Sequence, residues 1–221
     1  MGSYRFRFDV VASNLDFLLG GLGNTLLISS VALVLSLIGG LVIALLGMAP
    51  SRLARALAFG FGELVRNTPI LVQLLYVYYV VPILTGLKVS SFNAILVGLS
   101  VYSSAFIAEV YRAGIAAVPR GHREAAQVLG LGPVQTFRRI VLPQAVRIVL
   151  PPLASNFVIL IKYSSLASII SVGEITRRAI ELQSSTFRPL EIFSFVAVVY
   201  FCICFPLSVG IRLWERRLAT L

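Results

Sequence analysis

Histidine and acidic residues are what this sequence has least of. His122 is the single histidine, and 9 Asp and Glu stand against 19 Lys and Arg. One histidine excludes zinc held by several imidazoles. The acids are scattered, and none lies between Glu124 and Glu174. No carboxylate pair therefore sits beside a nucleophile for acid–base chemistry. There are only two cysteines, Cys202 and Cys204, inside one apolar run. Without a second pair at ligand spacing they read as two buried thiols, and no metal site is expected. No Gly-x-x-x-x-Gly-Lys-Ser/Thr is present, so the chain should not hold ATP at a P-loop, and Gly-x-Ser-x-Gly and His-Glu-x-x-His are also missing. These gaps leave little for a membrane-embedded transferase, which would need clustered carboxylates or histidines at the membrane surface. Internal repeats are missing too, which disfavours a stand-alone channel or secondary carrier. That reading is kept as the alternative.

What the sequence has is hydrocarbon. Of 221 residues 58% are hydrophobic and 13% are charged, with mean hydropathy +0.93. Soluble domains carry about 25% charged residues, so the chain reads as an all-α integral membrane protein. The net charge of +10 could suggest nucleic acid. The basic residues instead cluster at the ends of apolar runs, where they set topology and meet anionic lipid. No nucleic-acid partner is expected. Arg5 and Arg7 are followed by Asp9, Asn14 and Asp16, so the N-terminus is not a clean signal peptide. Residues 1–16 read as a periplasmic or interfacial lead-in and residues 17–221 as one membrane domain.

Residues 17–51 carry no charge. Gly20, Gly21, Gly23 and Asn24 suggest a short surface helix and bend, with the span proper from Thr25 to Met48. Residues 67–87 and 89–108 are two further charge-free windows, separated by Lys88. Residues 140–161 are apolar except for Arg147, and Pro151-Pro152 should break the helix there. A last clean run covers 192–211. At the roughly 20 residues a span needs, this predicts five spans at about 25–48, 64–86, 90–112, 140–162 and 191–213. The bias of Lys and Arg does not choose between five spans and four. The apolar character of 140–161, and a proline break of the kind tolerated beside a cavity, favour five.

The longest polar, basic insertion lies between the third and fourth spans. Within it Glu124-Ala125-Ala126-Gln127-Val128-Leu129-Gly130 reads as a very short helix, at most about residues 121–132. Glu124 is expected at its start, facing the positive end of the helix dipole. Ala125, Val128 and Leu129 form an apolar face at i, i+3 and i+4, and Gly130 ends the helix before Gly132-Pro133 restarts the chain. Helices below roughly 12–15 residues are marginal alone in water, so this one is expected to dock on a partner protein. A second polar group, Asn156, Lys162, Ser164 and Ser165, falls at membrane depth beside the prolines. Such groups face a pathway or cavity, and broken helices offer backbone groups to a ligand. Asn156 brings donors and acceptors, Lys162 only donors. Lys162 has a second reading, in which it snorkels to the outer surface. Upstream, Thr68, Gln73 and Tyr76 are spaced to share one helical face, with Gln73 the residue that could line the path. Glu109 is spaced to pair with Arg112.

Glu124-Ala125-Ala126, Gly130, Ile140 and Leu142-Pro143 resemble the EAA loop of bacterial ABC importer permeases. Leu150-Pro151-Pro152-Leu153, Asn156, Lys162 and Ser164-Ser165-Leu166, with Thr68-Pro69 and Gln73, resemble the polar amino acid branch of that family. The likeness runs from about Leu22 to the tail. It implies a type I ABC importer permease fold of five transmembrane helices, N-terminus outside and C-terminus inside, in the bacterial plasma membrane. Arg123, Glu124, Ala125, Ala126 and Gly130 would couple the chain to its ATPase, although His122 stands where the family often has Gln. Asn156, Phe157, Lys162, Ser164, Ser165 and Gln73 would line the substrate path. The implied partners are two ATP-binding cassette subunits that bind ATP-Mg, a second permease subunit in a homo- or heterodimer, a periplasmic or lipid-anchored amino acid binding protein, membrane lipids and the amino acid itself. The chain itself would be no enzyme and bind no cofactor. In cation-selective relatives acids tend to follow the Asn and the Lys; here Phe157 and Tyr163 stand there. A cationic substrate would lack a counter-ion in a low-dielectric cavity, which points to a neutral polar or acidic L-amino acid.

Overall fold

In a computed structural model the chain is helical almost throughout, and residues 4–219 are described. A single turn, α1 (Asp9–Ala12), leads into α2 (Leu15–Met48). Then come α3 (Arg52–Arg66), α4 (Ile70–Leu75) and α5 (Val81–Thr85), the last two joined by a π-helical turn at Tyr76–Val80. The third long helix is α6 (Ser91–Ala116), followed by α7 (Arg120–Val128). A single turn, α8 (Pro133–Thr136), passes through a π turn (Phe137–Val141) into α9 (Leu142–Tyr163) and a 3-10 stretch (Ser164–Ile170). The chain closes with α10 (Ile175–Thr186) and α11 (Pro189–Ala219). Among the described residues there is no strand. Four helical stretches, Leu15–Met48, Ser91–Ala116, Pro133–Ile170 and Pro189–Arg217, are each long and apolar enough to cross a membrane. Arg52–Arg66 and Ile70–Thr85 qualify as a bent pair, giving up to five.

Three expectations are corrected here. The glycines at 20, 21 and 23 do not bend the chain, because α2 is one helix of 34 residues. In hydrocarbon the helical hydrogen bond has no water to compete with it, so glycine loses its helix-breaking force. The stretch 64–86 is not one helix but is interrupted at Asn67–Pro69. Pro69 pushes the preceding Thr68 out of helical geometry, so Thr68 does not share a helix face with Gln73 and Tyr76. Its hydroxyl instead donates back to the Leu64 carbonyl oxygen. The helix does not break at Pro151-Pro152, since α9 runs through both. Proline's fixed φ is itself helical. The chain leaves helix only at Ser171, which is left-handed with φ 62°.

The fold divides into two compact units. One comprises Met1–Ala32, Ile70–Leu99 and Phe157–Val209. Its core gathers Val11, Leu18, Ile175, Ala179, Leu182, Ile192 and Val196. The N-terminal part of α2 is clasped to the turn before α10. Asn24 Nδ2 donates to the Gly173 carbonyl oxygen at 2.9 Å, and the Ile175 N–H donates to Thr25 Oγ1 at 3.3 Å. Gly21 permits this approach: an added Cβ would lie 2.7 Å from the Ile175 nitrogen. Glu174, fully buried, caps α10 by accepting from the N–H groups of Thr176 (2.9 Å) and Arg177 (2.7 Å), and it also accepts from Tyr200 Oη (3.3 Å). Burial pushes its carboxyl above the usual range, opposed by those N–H groups. The lead-in is tied down as well. Tyr4 Oη and the Arg7 N–H both donate to the buried Glu191 carboxylate, at 2.5 and 2.8 Å.

Arg177, Arg178 and Arg188 are staples in this unit. Arg178 donates to the Phe17 carbonyl oxygen at 2.6 Å, Arg188 to that of Arg5 at 3.1 Å, and Arg177 pairs with Glu181 at 2.8 Å. The expected pair of buried thiols is half right, since Cys204 is buried and Cys202 is exposed.

The other unit comprises Leu33–Pro69, Ser100–Asn156 and Gly210–Leu221. Here α2 and α6 run parallel. Ser104 Oγ lies 3.4 Å from the Ser36 carbonyl oxygen, Ile107 packs at Gly40, and Arg112 packs at Gly47. Small residues at 36, 39, 40 and 47 let the two backbones approach, as in other membrane helix pairs. Arg66 bridges Glu63 (2.6 Å) and Glu109 (3.3 Å), and Glu109 also meets Arg112 at 3.7 Å.

The clasp at Gly21 makes a direct prediction. Gly21→Ala should cost about 1–3 kcal/mol through overpacking against backbone. Gly23→Ala, where a Cβ meets nothing within 4 Å, should leave the Tm of the purified protein in detergent unchanged or raise it.

Candidate functional site: the α7 surface helix

The polar insertion folds as α7, with Pro119 as its N-cap residue. This corrects the expected start: Glu124 lies mid-helix, a full turn in, and the first turn holds no acid. Pro119 sets the boundary because its ring forbids an earlier helical N–H. The C-terminus is a Schellman motif. Leu131 N–H donates to the Ala126 carbonyl oxygen (3.0 Å) and Gly130 N–H to that of Gln127 (2.9 Å). Gly130 is left-handed at φ 78°, the conformation glycine adopts without a Cβ penalty.

The inner face of α7 is narrow. Ala126 is buried, and the half-buried Arg123 donates through Nη2 to the Ile115 carbonyl oxygen at 2.7 Å. A guanidinium suits the last turn of α6, where carbonyls are left without helical partners. Beside Arg123 is a cavity of about 420 Å³, reaching Gln127, Thr136 and Phe137. His122 also holds the helix. Gln144 Nε2 donates to the Ile140 carbonyl oxygen at 2.8 Å, so Gln144 Oε1 accepts, and His122 Nδ1 lies 2.8 Å from it. His122 therefore has a polar partner within the chain, on α9.

The outer face has no cover. Glu124 and Ala125 are exposed, and Val128 and Leu129 are 88% and 76% exposed. Val134 and Phe137, on the turn that follows, are exposed as well. The apolar face at 125, 128 and 129 thus points away from the chain's own core.

The candidate path residues are distributed between the two units. Asn156 belongs to the second unit; its Nδ2 is buried and makes no hydrogen bond among the described residues. Phe157, Lys162, Ser164, Ser165 and Gln73 belong to the first. Lys162 is exposed, while Phe157 and Gln73 are half-buried. The serines are engaged locally. Ser164 Oγ donates to the Ile161 carbonyl oxygen (2.8 Å) and Ser165 Oγ to that of Lys162 (2.7 Å), at the entrance to the 3-10 stretch. Two features escaped the sequence reading, the amphipathic α3 and the buried Glu174. A Gly-Glu pair before an apolar-periodic stretch was the available signal for the second.

Residues 36–220 match the family described as binding-protein-dependent transport system inner membrane component. The chain belongs to this family, and it is an inner-membrane permease subunit of the amino acid ABC importer type that works with ATPase and binding-protein partners. It is 39% identical over 222 residues to the glutamine transport system permease protein GlnP of Escherichia coli (strain K12), covering 98% of this chain and all of that one. It is 35% identical over 210 residues to the probable glutamine ABC transporter permease protein GlnM of Bacillus subtilis (strain 168), covering 95% and 97%. Among solved structures, an amino acid ABC transporter crystallised with histidines superposes with a TM-score of 0.92 at 34% identity, over 97% of this chain and all of that one. Family membership removes the stand-alone channel or carrier.

The cap geometry predicts the effect of Gly130→Val. A β-branched residue held left-handed costs roughly 1–2 kcal/mol, enough to fray the end of α7. Limited trypsin digestion should then cut sooner at Arg120 and Arg123 in the variant than in the parent.

Proposed function

We propose that this chain forms the translocation path together with a second permease subunit, and that α7 is the element through which two ATP-binding cassette subunits drive it. The observation that supports this is the two-sided character of α7. Arg123, Ala126 and His122 fix its inner side. Glu124, Ala125, Val128 and Leu129 stand exposed on the other. A helix of 9 residues held in this way transmits a push, because displacing it displaces the carbonyl end of α6 and the start of α9. ATP-Mg is bound and hydrolysed in the partner subunits. A periplasmic or lipid-anchored binding protein delivers the substrate at the outer face. The N-terminus lies outside and the C-terminus inside. ATP binding and substrate loading each bias one equilibrium between outward- and inward-facing states.

The substrate is a neutral polar or acidic L-amino acid, with a glutamine-like side chain the first candidate. Two features support this. Two of the most similar relatives are glutamine permeases, and no carboxylate lies between Glu124 and Glu174 to pair with a cationic side chain. Asn156, with its unbonded Nδ2, and Gln73 would meet the substrate's polar groups. Lys162 would favour its carboxylate.

Two experiments test this. In Glu124→Arg, and independently in Leu129→Asp, co-purification with the ATPase subunits should be lost, or substrate-stimulated ATP hydrolysis should fall at least tenfold. Normal coupling in both variants would refute the role of α7. In proteoliposomes holding the full complex and its binding protein, labelled glutamine or glutamate should accumulate, and lysine and arginine should not. Asn156→Asp should lower glutamate uptake more than glutamine uptake.

A further inference from the structure

The helix α3 (Arg52–Arg66) has three faces rather than two. Ala58, Gly62 and Val65, at i, i+4 and i+7, are buried. Arg52, Arg55 and Glu63 share a second stripe with Phe59. On the third stripe Leu53, Leu57 and Leu64 are 69%, 63% and 70% exposed. Such a stripe could meet lipid or another protein, and its setting favours lipid.

The first argument is position. α3 follows the end of α2 after the three-residue turn Ala49–Ser51. That turn is closed by Arg55, whose Nη1 donates to the carbonyl oxygens of Ala49 and Pro50, each at 3.0 Å. α3 begins where the charge-free run of residues 17–51 ends, at the edge of the hydrocarbon. The second argument is direction. Ala58, midway along α3, still faces Gly47, and Arg66 at its far end reaches Glu109, just before the Arg112 that packs at Gly47. A helix of 15 residues, about 22 Å long, thus stays close to one level of α2 and α6. It crosses α2 near the end of that helix and α6 about two turns before its own, the direction of a helix lying along a membrane surface rather than crossing it. The third argument is charge. Arg52 and Arg55 are exposed, residues 52–62 carry no acid, and Glu63 is taken by Arg66 at 2.6 Å. A leucine stripe beside a cationic stripe on a helix lying in the interface is the pattern of a lipid-seated helix.

We infer that α3 is a seat for anionic phospholipid of the inner leaflet, with Leu53, Leu57 and Leu64 in the acyl boundary and Arg52 and Arg55 at the headgroup. One cation near an anionic surface strengthens attraction to that surface by about fivefold. The seat is independent of which amino acid is carried and of how the ATPase docks.

The test uses the full importer complex in nanodiscs of phosphatidylcholine and phosphatidylglycerol in equal parts, with bromines on the acyl chains of one lipid at a time. Trp214 is the only tryptophan of this chain, so each variant is made in Trp214→Phe and its quenching is read as the difference from the Trp214→Phe complex, which carries only the partners' tryptophans. Co-purification of the ATPase subunits confirms that each variant is folded. Leu57→Trp should be quenched at least twofold more strongly than Phe59→Trp, which sits on the polar stripe. No quenching at Leu57→Trp would mean that protein covers the stripe, and equal quenching at both positions would mean that the helix is immersed; either result overturns the inference. For Leu57→Trp, brominated phosphatidylglycerol should quench at least twofold more than brominated phosphatidylcholine, and adding Arg52→Gln should reduce that ratio. Equal quenching by the two lipids in the parent, or a ratio untouched by Arg52→Gln, would overturn the anionic headgroup assignment.

Discussion

Arg123 donates to the Ile115 carbonyl oxygen, and the bond solves two problems together. The last carbonyls of α6 need donors once the helix stops. The short α7 needs a fixed point, because isolated helices of that length melt. One guanidinium supplies both, and Ala126, three residues on along the same inner side of α7, is buried as well. Everything proposed for the outer face of α7 depends on this seat. A helix free to roll would present Val128 and Leu129 to any direction. With Arg123 inside, they have only one.

The same economy governs most polar groups among the described residues. In hydrocarbon an unpaired donor or acceptor is expensive, so polar side chains are committed close to where they stand. Ser164 and Ser165 bond carbonyls three residues back. Glu174 and Glu191, both fully buried, are surrounded by donors. Among the described residues four buried side-chain atoms depart from that rule, Ser100 Oγ, Ser103 Oγ, Arg123 Nε and Asn156 Nδ2, and Lys162 is exposed in a helix of mostly apolar residues.

Legibility followed the physics of each signal. The family and its fold were readable, because Glu124-Ala125-Ala126, Gly130 and the downstream polar run survive in the sequence as side chains. The glycine ending α7 was readable, since a left-handed cap demands that residue type. The helix start was not, because Pro119 competes with Glu124 as a boundary signal and sterics outweighs the dipole. α3 went unseen because searching for charge-free windows discards a helix with arginines on one stripe. The glycines of α2 were misread by a rule learned in water, where glycine loosens helices. Here Gly21 serves contact with the turn before α10. Pro151-Pro152 misled for another reason, that proline's fixed φ is itself helical and α9 continues through both.

The parallel run of α2 and α6 carries a geometric obligation. Two consecutive long spans can point the same way only if the chain between them returns across the bilayer. The helical residues available for that return are Ile70–Thr85, about 24 Å of helix at the usual rise, and the π turn at Tyr76–Val80 shortens it further. A hydrocarbon core is about 30 Å thick. Such a shortfall is met by a locally thinned leaflet, by polar ends drawn inward or by association with another subunit, at a cost that grows with mismatch. The short return thus ties this part of the chain to the thickness of the bilayer around it, by a route separate from substrate and ATP.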